Sequence, residues 1–171
     1  MSEYHWIDGY HPVMIGDVMH TRYTIIDKLG FGGYSTVRLV IDSHTDRFAA
    51  LKVGISRASP AQRESQILGV LSKSPTSTTS VVQANTGLGL PIPSVPDSFE
   101  VQGPNGTHCC YTMNLMQGDL RAASSSRSFS IKVARALAVK SVLAVDHVRS
   151  QGFVHGGVLT VWYVCTDAWL I

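Results

Sequence analysis

The sequence predicts an α+β fold, in the order strands, one helix, more strands and one longer helix. Short runs of β-prone residues, separated by turn residues, occupy 23–53 and 99–113. Helical patterns occupy 60–71, between these two groups of strands, and 130–150, after them. The 171 residues, 44% of them hydrophobic, supply enough apolar material for one globular core and too little length for two full domains.

The first group of predicted elements consists of three strands and a helix. The strands are placed at 23–28, 36–41 and 48–53. Ser59 and Pro60 have the residue types preferred at the N-cap and first position of a helix, which we expect to run to about Leu71. Residues 72–80 are almost entirely serine and threonine and predict a mobile insertion, and the proline-containing run 88–96 predicts a loop or extended segment.

The second group consists of a hairpin and the long helix. Strands at 99–102 and 107–113 flank the turn sequence Gly103-Pro104-Asn105-Gly106. The helix at 130–150 ends at Gly152, a residue type favoured just after a helix. Its expected apolar face is formed by Ala134, Leu137, Ala138, Val145 and Val148.

Composition excludes several classes of function. Lys and Arg number 14 against 12 Asp and Glu, with no basic run, so neither nucleic acid nor an anionic membrane is expected as a partner. The three cysteines, Cys109, Cys110 and Cys165, lack the spacing of a zinc site or a disulfide framework, and no metal site is predicted. Without a signal-peptide pattern or a membrane-spanning stretch, we expect an intracellular protein of the cytoplasm or nucleus.

The glycine cluster Gly30-Phe31-Gly32-Gly33 is the first feature with chemical meaning. Glycines allow backbone amides to approach phosphate oxygens closely. No Gly-Lys-Ser/Thr follows, which excludes a Walker A loop, and a strand pattern rather than a helix follows, which argues against a dinucleotide-binding fingerprint. A glycine-rich strand–turn–strand is the arrangement that covers nucleotide phosphates in protein kinases, although a plain glycine-rich hairpin is the alternative.

Lys52 and Glu64 are the expected partners of this loop. Lys52 lies inside an apolar strand, which is costly unless an anion pairs with it; an edge-strand lysine reaching solvent is the alternative. Glu64 heads the helical series completed by Ile67, Leu68 and Leu71, so its carboxylate lies on the face that packs inward. The pair predicts a lysine held in place to contact the α- and β-phosphates of a nucleotide.

Residues 10–156 resemble the protein kinase fold, and most closely the SR-protein-kinase-like Ser/Thr kinases of fungi. The segments that carry the resemblance are Tyr10-His11-Pro12-Val13, Gly16-Asp17, the glycine run 29–37 with Ser35 at the usual third glycine, the hairpin 99–108 and Gly152-Phe153-Val154-His155-Gly156. The resemblance implies a small lobe with an antiparallel sheet and an αC-type helix, followed by a truncated helical large lobe. It divides the chain into a lead-in (1–22), the small lobe (23–120), the start of the large lobe (121–157) and an apolar tail (158–171) outside the family pattern.

The resemblance also implies a set of ATP-binding residues. They are Leu29, Gly30, Gly32, Gly33, Ser35, Val37, Ala50, Lys52, Glu64, Met113, Asn114 and Met116. Leu29, Val37 and Ala50 would line the adenine pocket, with Met113 as gatekeeper and the backbone of 114–116 as the hinge that contacts adenine. Ordinary core packing is the alternative for these apolar residues, and for Met113 alone it is preferred.

The resemblance ends where the catalytic residues should begin. After His155-Gly156, Gly157 stands where the family has the catalytic Asp, and Trp162 stands where it has the metal-binding Asn. Glycine cannot accept a proton and indole cannot ligate Mg²⁺, and no Asp-Phe-Gly follows in the sequence. We therefore expect weak ATP binding without Mg²⁺ ligands or efficient phosphoryl transfer, and the break at Gly157 is consistent with an unspliced intron.

Four interpretations of the whole chain follow. The leading one is a protein-kinase fragment with an ATP-binding small lobe, related to enzymes that phosphorylate protein Ser/Thr and therefore to nucleotide and protein partners. A pseudokinase-type interaction module is the alternative. A complete active kinase with its catalytic half missing from this sequence, and an unrelated α+β protein with a chance glycine hairpin, are the other two.

Overall fold

The computed structural model describes residues 9–56, 60–73, 92–115 and 130–154. The elements in these residues are β1 (Val18–Met19), β2 (Tyr23–Gly32), β3 (Ser35–Asp42), β4 (Arg47–Gly54), α1 (Pro60–Lys73), β5 (Ser98–Gly103), β6 (Gly106–Asn114) and α2 (Ile131–Ser150). The chain divides into two compact units, residues 1–69 with 94–115 and residues 70–93 with 116–171.

The first unit contains a six-stranded sheet in the order β1-β2-β3-β4-β6-β5, and every neighbouring pair is antiparallel. This confirms the predicted α+β class with an antiparallel sheet. β2 extends four residues past the predicted end at Lys28, because Gly30 and Gly32 pair with Val37 and Ser35 and so belong to the ladder. The ladder shifts register between Lys28 and Gly30, where the glycine run begins.

One face of this sheet forms the hydrophobic core together with the lead-in. The core cluster consists of Val13, Met19, Tyr23, Ile25, Val40, Leu51, Val53, Phe99 and Cys110, all at most 9% exposed. Val13 and Met19 precede β2, so the lead-in is an integral part of the unit and covers a face that would otherwise be open to water. The short strand β1 was not predicted, because its two residues are too few to show a periodic pattern.

A charged network ties the start of β2 to two other segments. Arg22 donates from Nε and Nη2 to the two carboxylate oxygens of Asp42, at 2.6 and 2.8 Å, and from Nη1 to Asp97 at 3.3 Å. Tyr23 donates its hydroxyl proton to Asp97 at 2.7 Å. The hydrogen bond from Arg22 holds the pKa of Asp42 well below its usual range. The network joins β2 to the β3–β4 turn and to the segment leading into β5.

The β5–β6 hairpin turns at Pro104 and Asn105, as predicted, with Gly106 at φ 116°. Next to the turn, the rings of His11 and His108 lie 4.8 Å apart. His108 Nδ1 donates to the Gly54 carbonyl at 2.9 Å. Gly103 is required here, because a Cβ at this position would overlap His11 Nδ1 and lie 3.0 Å from His108 Nε2. The hairpin therefore holds the lead-in against the sheet.

Helix α1 agrees with its prediction at its start and runs slightly further at its end. It begins at Pro60 as predicted, whereas Ser59 lies outside the described residues. It buries Ala61, Ser65 and Leu71. It continues through Ser72 and Lys73, so the first two residues of the predicted insertion at 72–80 are helical, and 74–80 lie outside the described residues.

Helix α2 belongs to the second unit and is capped at both ends. The Ser130 hydroxyl accepts a hydrogen bond from Val133 N at 3.4 Å, and Gly152, at φ 80°, follows the C-cap as predicted. The predicted apolar face is only partly buried: of its five residues, all described, Val148 alone is buried. His147, which precedes Val148, is fully buried, and its Nε2 donates to the Leu71 carbonyl at 2.8 Å.

Within the described parts of the chain, no helix has the length and apolar character needed to cross a bilayer.

Candidate nucleotide-binding site

The glycine cluster forms the tip of the β2–β3 hairpin. Gly32 pairs with Ser35, which leaves Gly33 and Tyr34 as the two residues of the turn. Open space surrounds the position that a Cβ would take at Gly32 and at Gly33. The Tyr34 carbonyl accepts a hydrogen bond from Ile55 N at 3.1 Å, which fastens the outgoing side of the turn to the end of β4. The glycine cluster therefore forms a turn between two strands, as the sequence predicted. The structure adds that this turn is hydrogen-bonded to the residue that follows β4.

Lys52 lies in an interior strand and carries an ion pair. β4 is flanked by β3 and β6, so the alternative of an edge-strand lysine is wrong. Lys52 Nζ donates to Glu64 Oε2 at 2.6 Å, which joins β4 to helix α1. The Lys52 side chain is 20% exposed and the Glu64 side chain 43% exposed, so the pair lies at the wall of a cleft and not inside the core. The sequence-based pairing of these two residues is present in the structure.

A cleft of about 210 Å³ lies beneath the glycine turn. Its lining residues are Gly32, Gly33, Tyr34, Ser35, Lys52, Ala61 and Glu64. Four of these come from the glycine hairpin, one from β4 and two from α1. The cleft thus combines glycine backbone, small side chains and an ammonium group held by a carboxylate. Such a combination is suited to the phosphates of a nucleotide.

The predicted adenine-pocket residues continue along the face of the sheet that carries Lys52. Val37 is directly opposite Lys52 in the β3–β4 ladder, and Met113 is directly opposite Ala50 in the β4–β6 ladder. Residues opposite each other in an antiparallel pair share a face. Val37 and Ala50 are buried and Met113 is half-buried, whereas Leu29 is 46% exposed.

The remaining predicted site residues either lie away from the cleft lining or fall outside the described residues. Gly30 pairs with Val37 inside the β2–β3 ladder and is absent from the cleft lining. Asn114 ends β6 and is exposed, as is Leu115 beyond it. Met116 lies outside the described residues, as do Gly157 and Trp162, so the positions expected for the catalytic base and the metal-binding residue have no structural description.

The structure adds site residues that the sequence did not indicate. Tyr34 and Ala61 line the cleft. Tyr10, in the lead-in, donates its hydroxyl proton to the Gly32 carbonyl at 2.6 Å. Tyr10 belongs to the segment that carries the family resemblance, but no local pattern connects a residue at position 10 with one 22 positions later.

Two buried cysteines lie next to each other on β6, and neither lines the cleft. Cys109 lies on the face of β6 that packs near Ser65 of α1, and burial raises the pKa of its thiol. Burial also raises the pKa of Cys110 to about 12. Because the thiolate is the reactive form of cysteine, neither of these two residues is activated near neutral pH.

Comparison with known proteins gives a consistent set of relatives, although no family model matches the chain. A serine/threonine protein kinase of Aspergillus fumigatus is 33% identical over 148 residues, which are 85% of this chain and 35% of that protein. Protein kinase dsk1 of Schizosaccharomyces pombe is 32% identical over 163 residues, 90% of this chain and 28% of that protein. SRSF protein kinase 3 of Homo sapiens is 36% identical over 108 residues, 63% of this chain and 18% of that protein. The chain thus spans about a third or less of the length of these relatives.

Proposed function

The chain belongs to the SR-protein-kinase-like serine/threonine protein kinases, and from that premise we propose that its first unit is an ATP-binding small lobe. The observation that carries the proposal is the Lys52–Glu64 ion pair, 2.6 Å long, at the wall of the cleft beneath the glycine turn. An ammonium group that is held by a carboxylate and faces bare backbone is suited to polyphosphate, because it supplies charge without rearranging.

We assign the phosphates, the faces of the adenine ring and the edge of that ring to different residues of the first unit. The phosphates would lie under Gly32 and Gly33, where backbone amides approach closely and Lys52 adds positive charge. The adenine ring would pack on the face that carries Val37 and Ala50, with Met113 closing the pocket. The backbone at the end of β6 would supply hydrogen bonds to the edge of the ring.

The reaction proposed for the family is transfer of the γ-phosphoryl group of ATP to a serine or threonine hydroxyl of a protein. Efficient transfer requires a base for the hydroxyl proton and carboxylate or amide ligands for Mg²⁺. Gly157 and Trp162 occupy the corresponding positions. Glycine supplies no base and indole no ligand for Mg²⁺, so we assign nucleotide binding to this chain and no efficient phosphoryl transfer.

A non-catalytic interaction module has no specific observation in its favour. The relatives described above are named as kinases, and the described cleft combines the groups that nucleotide binding needs. Binding of a protein substrate or partner, without efficient phosphoryl transfer, is the second proposed interaction, after nucleotide binding.

Titration calorimetry of the 171-residue chain with ATP and with ADP tests the proposal. We expect measurable binding that Lys52→Ala weakens at least tenfold, because the variant removes the positive charge at the phosphates. Lys132→Ala is the matched control, since Lys132 is an exposed lysine on α2 and lies outside the cleft lining. Equal affinities for the two variants, or no heat from the unmodified chain at any nucleotide concentration, would overturn the proposal.

A further inference from the structure

The lead-in strap, defined as residues 9–13, connects the glycine turn with the end of β4 and with the β5–β6 turn. Tyr10 donates its hydroxyl proton to the Gly32 carbonyl at 2.6 Å. Gly32 lines the cleft, so this hydrogen bond acts on the wall of the candidate nucleotide site. Tyr10 itself is not among the cleft-lining residues and reaches the turn from outside.

Three contacts fix the strap to the rest of the first unit and hold the backbone of Tyr10 in place. The Gly9 carbonyl accepts a hydrogen bond from Ser56 N at 2.9 Å, just after β4. Asn105 Nδ2, in the β5–β6 turn, donates to the Tyr10 carbonyl at 2.8 Å. Val13 closes the strap by burying all but 4% of its surface in the core. The backbone of Tyr10 is therefore held by elements of the sheet that are far from the glycine turn in sequence.

The orientation of the Gly32 carbonyl is easily changed, because both residues of the Gly32–Gly33 peptide are glycines. With Gly32 before it and Gly33 after it, this peptide plane can rotate at little steric cost. A trans peptide is planar, with its C=O and N–H pointing in opposite directions. A carbonyl held toward Tyr10 therefore keeps the Gly33 N–H pointing away from Tyr10. A rotated plane would turn the carbonyl oxygen toward bound phosphates, which repel it.

We propose that Tyr10 is a positioning residue that sets the orientation of the Gly32–Gly33 peptide for nucleotide binding, and that Asn105 acts through Tyr10. The inference rests on the proposed function, since it concerns a residue outside the cleft that affects nucleotide affinity inside it. It makes nucleotide affinity depend on whether the strap is docked on the β5–β6 turn.

The test compares Tyr10→Phe, Asn105→Ala and the double variant with the unmodified 171-residue chain. Phenylalanine keeps the ring and removes only the donor. Loss of one neutral hydrogen bond predicts roughly three- to tenfold weaker ADP binding for Tyr10→Phe. Amide hydrogen exchange without nucleotide should be faster across residues 31–35 and unchanged in β4. Gln102→Ala is the matched control for Asn105, because Gln102 is exposed on the same hairpin and bonds only to Thr107 in the described structure.

The outcomes separate the inference from the function on which it rests. If Asn105 acts through Tyr10, the double variant binds ADP no more weakly than Tyr10→Phe. Equal affinity and equal exchange for Tyr10→Phe and the unmodified chain would overturn the inference alone. Additive losses in the double variant would overturn the role assigned to Asn105. An unmodified chain that binds neither ADP nor ATP would overturn the proposed function, and the inference with it.

Discussion

Replacing Glu64 with glutamine should weaken nucleotide binding while leaving the fold almost unchanged. The side chains of Lys52 and Glu64 are 20% and 43% exposed, and ion pairs with this access to water contribute about 0.2–1 kcal/mol. Glutamine keeps the size of glutamate and can still accept a hydrogen bond, so we expect the free energy of unfolding to fall by less than about 1 kcal/mol. Without the carboxylate, Lys52 regains side-chain freedom that nucleotide binding must then remove. A lysine loses up to about 2 kcal/mol of conformational entropy when it is ordered, and recovery of part of it predicts roughly three- to tenfold weaker binding.

Two measurements on the same four proteins decide whether this reasoning holds. Urea unfolding followed by circular dichroism gives the stability, and ADP titration gives the affinity, for the unmodified chain, Glu64→Gln, Lys52→Met and the double variant. The affinity losses should be non-additive, since Glu64 acts only through Lys52. Arg63→Gln on the exposed side of α1 is the control for charge removal. A Glu64→Gln variant that loses more than about 2 kcal/mol of stability and keeps its affinity would show that the pair is structural.

Three further predictions concern the lead-in and the start of β2. Gly103→Ala places a methyl group against His11 and should lower the free energy of unfolding by about 1–3 kcal/mol, as measured by urea unfolding, whereas Gly33→Ala, in open space, should change it by less. Burial lowers the pKa of His11 from 6.5, so stability should be complete above about pH 6.5 and should fall as the pH drops toward the folded-state pKa. His11→Gln should flatten that part of the stability curve, and an unchanged curve would contradict the assignment. Burial, with the hydrogen bond to Asp97, raises the pKa of Tyr23 from 10.0 to about 12, so stability should decline as the pH rises through this interval and should decline less in Tyr23→Phe.

The features that the sequence predicted are those set by short-range patterns. The helical spacing of Glu64 from Leu71 and the position of Lys52 in an apolar strand predicted a pair that the structure contains. The glycine turn and the Asn105 turn were also predictable, because turn chemistry is local.

The features that were missed depend on residues far apart in the chain. Thr36 and Arg38 have residue types that suit the solvent side of a strand, but they are 2% and 8% exposed. The lead-in contributes Val13 to the same sheet face, and no periodicity in the lead-in indicates where it packs. The contact between Tyr10 and Gly32 was missed for the same reason, since it depends on tertiary packing and not on local propensity.

The hydrogen bond from Asn105 to Tyr10 joins residues 95 positions apart, which has a consequence for protein synthesis. On a ribosome, the glycine turn emerges first, and the hairpin that anchors the strap emerges about seventy residues after it. Until then the core face of β2 and β3 lacks β5 and β6, and exposed strands of this kind are prone to aggregation. The nucleotide cleft would therefore take its final shape only after β6 has emerged, and chaperone contacts should concentrate on nascent chains that end between β4 and β6.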